Sequence, residues 1–341
     1  MDTGAPSSNT PNSSKAKSSA AVSVASTGKT PRKRPTRQGF IFEMKRNWPY
    51  YLMALPAMGV AFLVSYLPYP GLIIAFQDFH FVRGMSGSDF VGMSNFRFFF
   101  DSIFFFRTTF NTLFINLLST IFITIVAVSI AIMLNEMRKK LAVRLYQNII
   151  FFPHFLSAVI VGHLLIHVLF PTQAGIVNRF IVAFGGERVP WLFTPEPWLG
   201  IVVGTNVWRS MGFTSIIYLA TIAGIDEEMY EAANLDGAGR LRMLWHITLP
   251  MLIPAICMLV LLSIGTVMFG DFGLLYSIVD PNPMLLPRLD IIETFVFRAI
   301  RETVDFGTAA AIGLYQSVVG FILVVVANLV AKKIDPDYAL F

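Results

Sequence analysis

The feature that most constrains this chain is a series of six apolar runs, each long enough to cross a bilayer. An α-helix rises about 1.5 Å per residue, so a run of about 20 apolar residues spans the hydrocarbon core. Arg209 is the single charged residue inside these runs. They predict an all-α integral membrane protein with six transmembrane helices, at about 51–76, 108–134, 149–171, 199–224, 249–270 and 308–331.

The rest of the chain is too short and too scattered to form a second domain. Only 14% of the 341 residues are charged, against about a quarter in an ordinary soluble domain. The loops between the runs are too small to bury a core of their own. We therefore predict one transmembrane domain over residues 47–341, and we exclude catalysis by a large soluble domain.

Lysine and arginine are distributed unevenly between alternate loops. The N-terminal tail, every second loop and the C-terminal end hold 17 of the 26 basic residues, whereas the intervening loops hold eight. Basic residues accumulate on the cytoplasmic side of membrane proteins. This bias predicts that both termini are cytoplasmic.

Residues 1–46 precede the first run and have a different composition. Their first 38 residues contain almost no large apolar side chain, and such segments cannot offset the entropy of ordering. We predict a disordered, basic cytoplasmic tail. Its stretch SVASTGKT ends like a phosphate-binding loop, but Ser23 stands where glycine is required, so we expect ATP to be bound by another chain.

One loop that the charge bias places outside contains an amphipathic pattern. In DIIETFVFRAIRE, residues 290–302, apolar residues recur at helical spacing. The pattern predicts a helix on the outer membrane surface with Asp290, Glu293 and Arg301 on its polar face. The apolar face would contain Ile291, Ile292, Phe295, Val296, Ala299 and Ile300.

The most polar stretch between two runs lies at about 226–248, in a loop predicted to be cytoplasmic. Asp226 can cap a helix through EEMYEAAN, and the two glutamates that follow it favour the positive first turn. Gly237 and Gly239 permit a turn that a Cβ atom would obstruct. We expect RLRMLWH to begin a second helical piece that leads into the membrane.

The spacing in this stretch resembles a known motif. Glu231-Ala232-Ala233, three residues, Gly237, nine residues and Ile247-Thr248-Leu249-Pro250 is similar to the EAA motif of permease subunits of binding-protein-dependent ABC importers. In that family the EAA segment is a coupling helix seated in a cleft of a separate ATPase. The resemblance implies the type I ABC importer permease fold. It also implies ATPase-coupling roles for Glu231, Ala232, Ala233, Asp236, Gly237, Ile247, Leu249 and Pro250.

Further stretches resemble the sugar-transporting branch of that family, especially permeases for oligosaccharides derived from polysaccharides. They are FVGMSNF, NIIFFPHFLSAVIVG, VWRSMGF, GLYQSVVGFILVVVANLVAKK and DIIETFVFRAI. The resemblance implies a saccharide substrate and a bacterial cell membrane location. The partners it implies are a second homologous permease, an ATPase dimer, an extracytoplasmic sugar-binding protein and membrane lipid, but no nucleic acid. ATP and magnesium would be used by the ATPase, and this chain is expected to hold no cofactor or metal.

Arg209 is costly within a membrane span, so it must find a carboxylate, carbonyl groups or water inside the bundle. Two interpretations stay open: a contact on the substrate path, and an anchor to neighbouring helices. Trp208 beside it can stack on a sugar ring. We predict a path between the fourth, fifth and sixth spans, although each aromatic residue alone is more often a packing residue. The predicted path residues are Trp208, Arg209, Tyr218, Phe269, Tyr276, Tyr315 and Gln316.

Other classes of function fit the sequence less well. An intramembrane enzyme would need a motif such as HExxH, a pair of aspartates or GxSxG, and no run contains one. An ion-coupled carrier normally needs Asp or Glu within its spans, and the six runs hold none. His163 and His167 stand four residues apart, but no third ligand accompanies them, so packing is favoured over a metal site. A permease for another polar solute remains the alternative.

Overall fold

The computed structural model describes residues 43–137 and 139–340, apart from the side chains of Thr303 and Asp337. Most of the predicted tail therefore lies outside the described residues, and residues 43–46 at its end are helical. Contacts divide the chain into two compact units, one ending at Tyr66 and the other beginning at Leu67. Within the described ranges, the strands are β1, Gln77–Asp78, and β2, Asp89–Phe90, which pair antiparallel with Gln77 opposite Phe90.

The regular structure of the described residues is otherwise helical, as the apolar runs predict. In chain order the α-helices are α1 Trp48–Ala61, α2 Gly84–Gly87, α3 Ser94–Phe100, α4 Ile103–Asn135, α5 Lys140–Phe151, α6 Ala158–Leu164, α7 Ile176–Ala183, α8 Trp198–Ala223, α9 Glu227–Leu235, α10 Arg240–Met243, α11 Leu249–Gly265, α12 Phe272–Val279, α13 Leu286–Leu289, α14 Ile292–Thr303 and α15 Phe306–Ile334. Wide π-helical turns follow α1, α6 and α10, at Phe62–Tyr66, Leu165–Leu169 and Leu244–Thr248.

Four helical segments of the described chain are long and apolar enough to cross a membrane. They are Trp48–Phe76, Ile103–Asn135, Arg240–Gly265 and Phe306–Ile334, and a bent fifth segment combines Lys140–Phe155 with Ala158–Leu169. Helix α8 occupies the fourth predicted run and has 26 residues, but it is not among these segments. Its polar residues, including Asn206 and Arg209, lower its mean hydropathy. The count of six spans therefore stays a prediction.

The third predicted run is not one continuous helix but is broken close to Pro153. Helix α5 ends at Phe151, a 3-10 turn occupies Phe152–Phe155, and α6 then runs at 90° to the first part. The bend lies at Leu156 and Ser157, whose ψ angles of 129° and 133° separate the 3-10 turn from α6. Pro153 lacks an amide hydrogen and so removes one helical hydrogen bond just before the bend. The end of α5 lies against Gly212 in the middle of α8, where a Cβ atom would collide with the Ile150 carbonyl.

The second unit is built around the pairing of α4 with α8, which contact each other along much of their length. At one end of this pair, Trp198 is fully buried among residues of α6, α12 and α13. At the other end, Tyr218 packs with Ala127 and Ala131 of α4 and with Leu252 of α11. The small alanine side chains allow the helices to approach closely, as in other membrane bundles.

The predicted outer-loop helix is present as α14, but its polar face was placed wrongly. Asp290 is fully buried, and the Glu293 carboxylate is bonded inside the protein rather than to solvent. The reason is that two arginines and the Thr294 hydroxyl bind the Asp290 carboxylate, so this charge is stabilised without water. Arg301 is exposed, as predicted, and binds Asp280 and Tyr276.

Candidate functional site

Helix α9 carries the EAA residues, and its two ends are as the sequence predicts. The Asp226 side chain accepts a hydrogen bond from the Glu228 amide at 3.0 Å and so caps the N-terminus. At the C-terminus, the amides of Gly237 and Ala238 donate to the carbonyls of Asn234 and Ala233, which is the Schellman arrangement. Gly237 has a φ of +75°, a conformation that side chains with a Cβ rarely adopt.

The two glycines of the turn have different roles, which corrects part of the prediction. Gly239 has a φ of −74°, which any residue adopts, and no atom would meet a Cβ at either glycine. Gly237 is therefore required by its backbone conformation rather than by a lack of space. After Gly239 the chain is helical from Arg240 to Gly265, so the second helical piece continues into the next apolar segment.

One hydrogen bond that the sequence did not suggest connects α9 to the membrane domain. The Tyr230 hydroxyl lies 3.0 Å from the hydroxyl of Thr248, which is buried at the start of α11. The adjacent Leu249 packs against the cluster around Tyr218. Arg240 also lies 3.7 Å from Glu136 at the end of α4, but both side chains are exposed. Tyr230 thus connects α9 directly to the residue that precedes α11.

The coupling segment presents a mixed surface to its surroundings. Glu231 and Ala232 are exposed, and Leu235, Leu241 and Trp245 have 89%, 73% and 65% of their surface accessible. An exposed patch with large apolar side chains and a carboxylate is typical of a protein interface. A groove of about 300 Å³ lies beside it, lined by Ala233, Asp236, Ala238, Arg242, Met243, His246 and Ile247.

A polar chamber lies between α4, α8 and α11. It consists of two adjoining cavities of about 260 and 220 Å³, which share the lining residues Thr120, Ile123, Ser263 and Thr266. The other lining residues with hydroxyl, amide or carboxyl groups are Asn116, Ser119, Thr124, Asn206, Ser210, Thr214, Tyr218 and Asp271. These groups can donate to and accept from a solute that carries many hydroxyl groups.

The wall of the chamber includes a short non-helical segment between α11 and α12, at 266–271. Asn116 donates to the carbonyls of Val267 and Phe269, at 2.8 and 3.1 Å. Gln316 donates to the Met268 carbonyl at 2.8 Å. Non-helical backbone at membrane depth is tolerated where protein groups satisfy it or where it lines a cavity, and both conditions hold for this segment.

Glu293 of α14 binds the same segment from the loop side. Its carboxylate accepts hydrogen bonds from the Gly270 amide at 2.8 Å and from Gln316 at 3.2 Å, and its second oxygen has no partner. Burial raises the pKa of the Glu293 carboxyl, although these hydrogen bonds oppose the effect. No sequence pattern indicates this contact, because Glu293 and Gly270 are 23 residues apart.

Arg209 finds the carboxylate that its position requires. Its guanidinium group binds the carboxylate of Asp271, which also caps the N-terminus of α12 through the Leu274 amide. Asp271 lines the chamber, whereas Arg209 lies behind it with 18% of its side chain accessible. This geometry fits the anchor interpretation, and a contact of Arg209 with substrate stays a prediction.

The structure brings some of the predicted path residues together and separates others. Tyr218 and Phe269 line the chamber, and the Tyr218 hydroxyl is buried without a hydrogen-bond partner. Gln316 is buried behind the non-helical segment. The remaining three do not line the chamber: Trp208 is 40% exposed, Tyr276 is bonded to Arg301, and Tyr315 packs among Phe99, Phe100 and Phe105.

Asp290 lies at the centre of a buried network. Arg298 binds its carboxylate through two hydrogen bonds of 2.9 and 2.8 Å, and Arg107 binds it at 3.2 Å. The Thr294 hydroxyl donates to the same carboxylate at 2.8 Å, while Asn111 donates to the Asp290 carbonyl. The network joins α14 to α4, and sequence reasoning missed it because these arginines were placed in loops.

Comparison of this chain with known proteins identifies a protein family that it matches. Residues 123–336 match the model of the binding-protein-dependent transport system inner membrane component. The matched region contains the coupling segment and most of the chamber.

Curated relatives match over most of their length. The polygalacturonan/rhamnogalacturonan transport system permease protein YteP of Bacillus subtilis (strain 168) is 36% identical over 89% of this chain and 94% of its own. Protein LplB of the same organism is 35% identical over 86% of this chain and 92% of its own. The arabinooligosaccharides transport system permease protein AraP of that organism is 27% identical over 87% and 91%.

Solved structures give the same result for the fold. A chain of a bacterial alginate ABC transporter, in complex with an alginate pentasaccharide-bound periplasmic protein, superposes with a TM-score of 0.77. It is 32% identical, and the match covers 86% of this chain and 96% of that chain. The chain therefore belongs to the family of inner membrane components of binding-protein-dependent transport systems.

Proposed function

We propose that this chain is one of two permease subunits of an ABC importer for saccharides, and that the polar chamber is its part of the saccharide path. The chamber is the observation that carries the proposal. A saccharide leaving water needs replacement hydrogen bonds, and the serine, threonine and asparagine groups of the lining can supply them. Two relatives are permeases of transport systems for polygalacturonan/rhamnogalacturonan and for arabinooligosaccharides, which supports the choice of solute.

The proposal includes a topology and a location. The protein would cross a bacterial cell membrane six times, with α8 as the fourth span and both termini cytoplasmic. The distribution of 17 basic residues against eight supports this orientation. A helix with the polarity of α8 is stable in a bundle because α4 and the chamber, rather than lipid, face its polar residues.

Energy would come from other chains. The surface formed by Glu231, Leu241 and Trp245 would dock on a separate ATPase dimer, which binds ATP and magnesium. A second homologous permease would complete the path, and an extracytoplasmic binding protein would deliver the saccharide. Because Tyr230 bonds to Thr248 at the start of α11, movement of α9 would be transmitted to a helix that lines the chamber.

The chamber is tested by removing its hydroxyl groups without changing side-chain size. Thr120→Val and Thr266→Val should each lower ATP-driven uptake of a labelled trisaccharide in proteoliposomes that contain the whole complex. The matched control is Thr221→Val, because Thr221 lies on α8 but lines neither cavity. Assembly with the ATPase should be unchanged in all three. Wild-type uptake by both chamber variants would contradict the proposed path.

The topology is tested by cysteine labelling in intact cells. Single cysteines placed in 135–148 or 230–245 should resist a membrane-impermeant reagent, whereas cysteines in 77–95 or 280–290 should react. Labelling of 230–245 from outside would overturn the orientation, because the coupling surface would then face away from ATP.

A further inference from the structure

A separate cavity lies far from the coupling segment. It has a volume of about 460 Å³ and is formed where α3, α4, α14 and α15 meet. The pairing of Arg240 with Glu136 places the C-terminal end of α4 beside the coupling segment. Arg107 of the cavity is 29 residues earlier on the same helix, which corresponds to a separation of about 44 Å. The cavity is therefore at the opposite end of the molecule.

The floor of this cavity is formed by the Asp290 network. Arg107 and Arg298 both bind the single carboxylate of Asp290. Two positive charges therefore face one negative charge, and the three groups together have a net charge of about +1. The Nε atom of Arg107 is buried and has no hydrogen-bond partner. A guanidinium group has five N–H donors, and a buried donor without a partner calls for an explanation. Because 33% of the Arg107 side chain and 23% of the Arg298 side chain are accessible, other N–H donors of these two groups can reach a ligand in the cavity.

Aromatic side chains form the walls. Phe98, Phe104 and Phe295 line the cavity, and the rings of Phe104 and Phe295 are 5.5 Å apart between centroids. The Arg107 guanidinium lies 5.0 Å from the centre of the Phe104 ring, which fixes the orientation of both groups. The rim provides acceptors, since Glu302 and Asp305 lie at the end of α14 and the start of α15.

The backbone is strained at this rim. Val304 lies between the two acidic residues and has a φ of +55°. Among the described residues other than glycine, it is the single one with a left-handed backbone conformation. A β-branched residue is disfavoured in this conformation, and such strain concentrates at ligand sites and switches. The turn therefore holds Glu302 and Asp305 beside the cavity at the cost of backbone strain.

We propose that this cavity is a second saccharide-binding subsite, separate from the chamber, at the end of the molecule opposite the coupling segment. Apolar ring faces, fixed guanidinium donors and carboxylate acceptors together match the alternating apolar and hydroxyl surfaces of a sugar. The volume is in the range of small-molecule sites. The proposal rests on the proposed function, because it deepens the choice of a saccharide as the solute.

The test is direct binding to the purified complex in nanodiscs, without the external binding protein, by equilibrium dialysis of radiolabelled maltotriose and trigalacturonic acid. At least one probe should bind saturably to the wild type. Phe98→Ala should weaken that binding about three- to tenfold, because the sugar would lose an apolar ring face on which to stack. Glu302→Gln should weaken it as well. The controls are Phe106→Ala and Glu187→Gln, which alter exposed residues outside the cavity.

The outcomes separate the two proposals. Binding that is lost in the cavity variants but kept in Thr120→Val supports the second subsite. Equal affinity in wild type, Phe98→Ala and Glu302→Gln overturns it, and so does an absence of saturable binding by either probe. Native mass spectrometry that finds a phospholipid lost from the cavity variants also overturns it, because the cavity would then be a lipid site. Uptake in the Thr120→Val and Thr266→Val experiment decides the chamber independently.

Discussion

The coupling helix α9 and the loop helix α14 look alike in sequence and are treated differently by the fold. Each is a short amphipathic helix with acidic residues at or just before its start. In α9, Glu231 faces solvent and the N-cap satisfies local backbone groups. Around α14, Asp290 and Glu293 bind groups on α4, α15 and the segment at 266–271.

The difference shows that a polar helix face is not necessarily a solvated one. The exposed Glu231 of α9 is available to a partner chain, whereas the carboxylates of Asp290 and Glu293 are already bonded within the protein. We therefore expect substitutions in α9 to change coupling with little effect on folding. Substitutions in the Asp290 network should change folding first.

The largest effect is expected from Asp290→Ala. It leaves Arg107 and Arg298 without their carboxylate, and removing one partner of a buried ion pair costs about 3–5 kcal/mol. Thermal unfolding of the purified protein in detergent should show a large loss of stability. Glu231→Ala is the matched control in α9. Equal melting temperatures for the two variants would remove the proposed distinction between the helices.

Glu231→Ala should affect docking instead. It removes a charge-assisted contact to the ATPase, expected to be worth about 1.5–3 kcal/mol at the interface. We expect weaker co-purification of the ATPase and lost transport, with an unchanged melting temperature. Normal uptake by this variant would show that the carboxylate is not part of the coupling contact.

Gly237→Val should impair coupling through the backbone. The φ of +75° is disfavoured for a residue with a Cβ by about 1–2 kcal/mol, so the turn after α9 should distort. Gly239→Val is the control, because its φ of −74° suits any residue. Uptake should fall in the first variant and persist in the second. A similar loss in both would indicate that space, rather than φ, limits this turn.

Glu293→Gln should alter the pH dependence of stability. Because burial raises the pKa of Glu293 in the folded state, the folded protein binds this proton more tightly than the unfolded chain. The contribution to stability is therefore present below the unfolded pKa of about 4.3 and is lost as the pH rises through the folded pKa.

Melting temperatures measured across this range in nanodiscs should fall less steeply with rising pH for Glu293→Gln than for the wild type. Glutamine keeps the acceptor for the Gly270 amide and Gln316, so the fold should be retained. A steeper fall in Glu293→Gln would mean that the carboxylate is stabilised, rather than destabilised, by its surroundings.

The smallest effect is expected from Arg240→Ala. Its ion pair with Glu136 is 3.7 Å long and exposed on both sides, and such pairs contribute about 0–1 kcal/mol. The melting temperature should change little, and any change should disappear at high salt. A loss as large as that of Asp290→Ala would show that this pair, rather than Tyr230, holds the coupling segment in place.

The sequence by itself determined the features that depend on local chemistry. Long apolar runs specified helices because unpaired backbone groups are not tolerated in lipid. The cap at Asp226 and the turn at Gly237 followed from residue types and short spacing. The EAA spacing indicated the family, and the family match confirms it. The roles assigned to the coupling and path residues stay predictions.

Tertiary structure decided the features that depend on contacts between distant residues. Periodicity indicates that α14 has a polar face, but it does not indicate whether water or another helix satisfies that face. Asp290 is buried because Arg107, 183 residues away, reaches its carboxylate. Arg209 binds Asp271, 62 residues away, and of the two only Asp271 lines the chamber. Such pairs form when packing brings groups together and removes water, so their free energy depends on the whole fold rather than on local sequence.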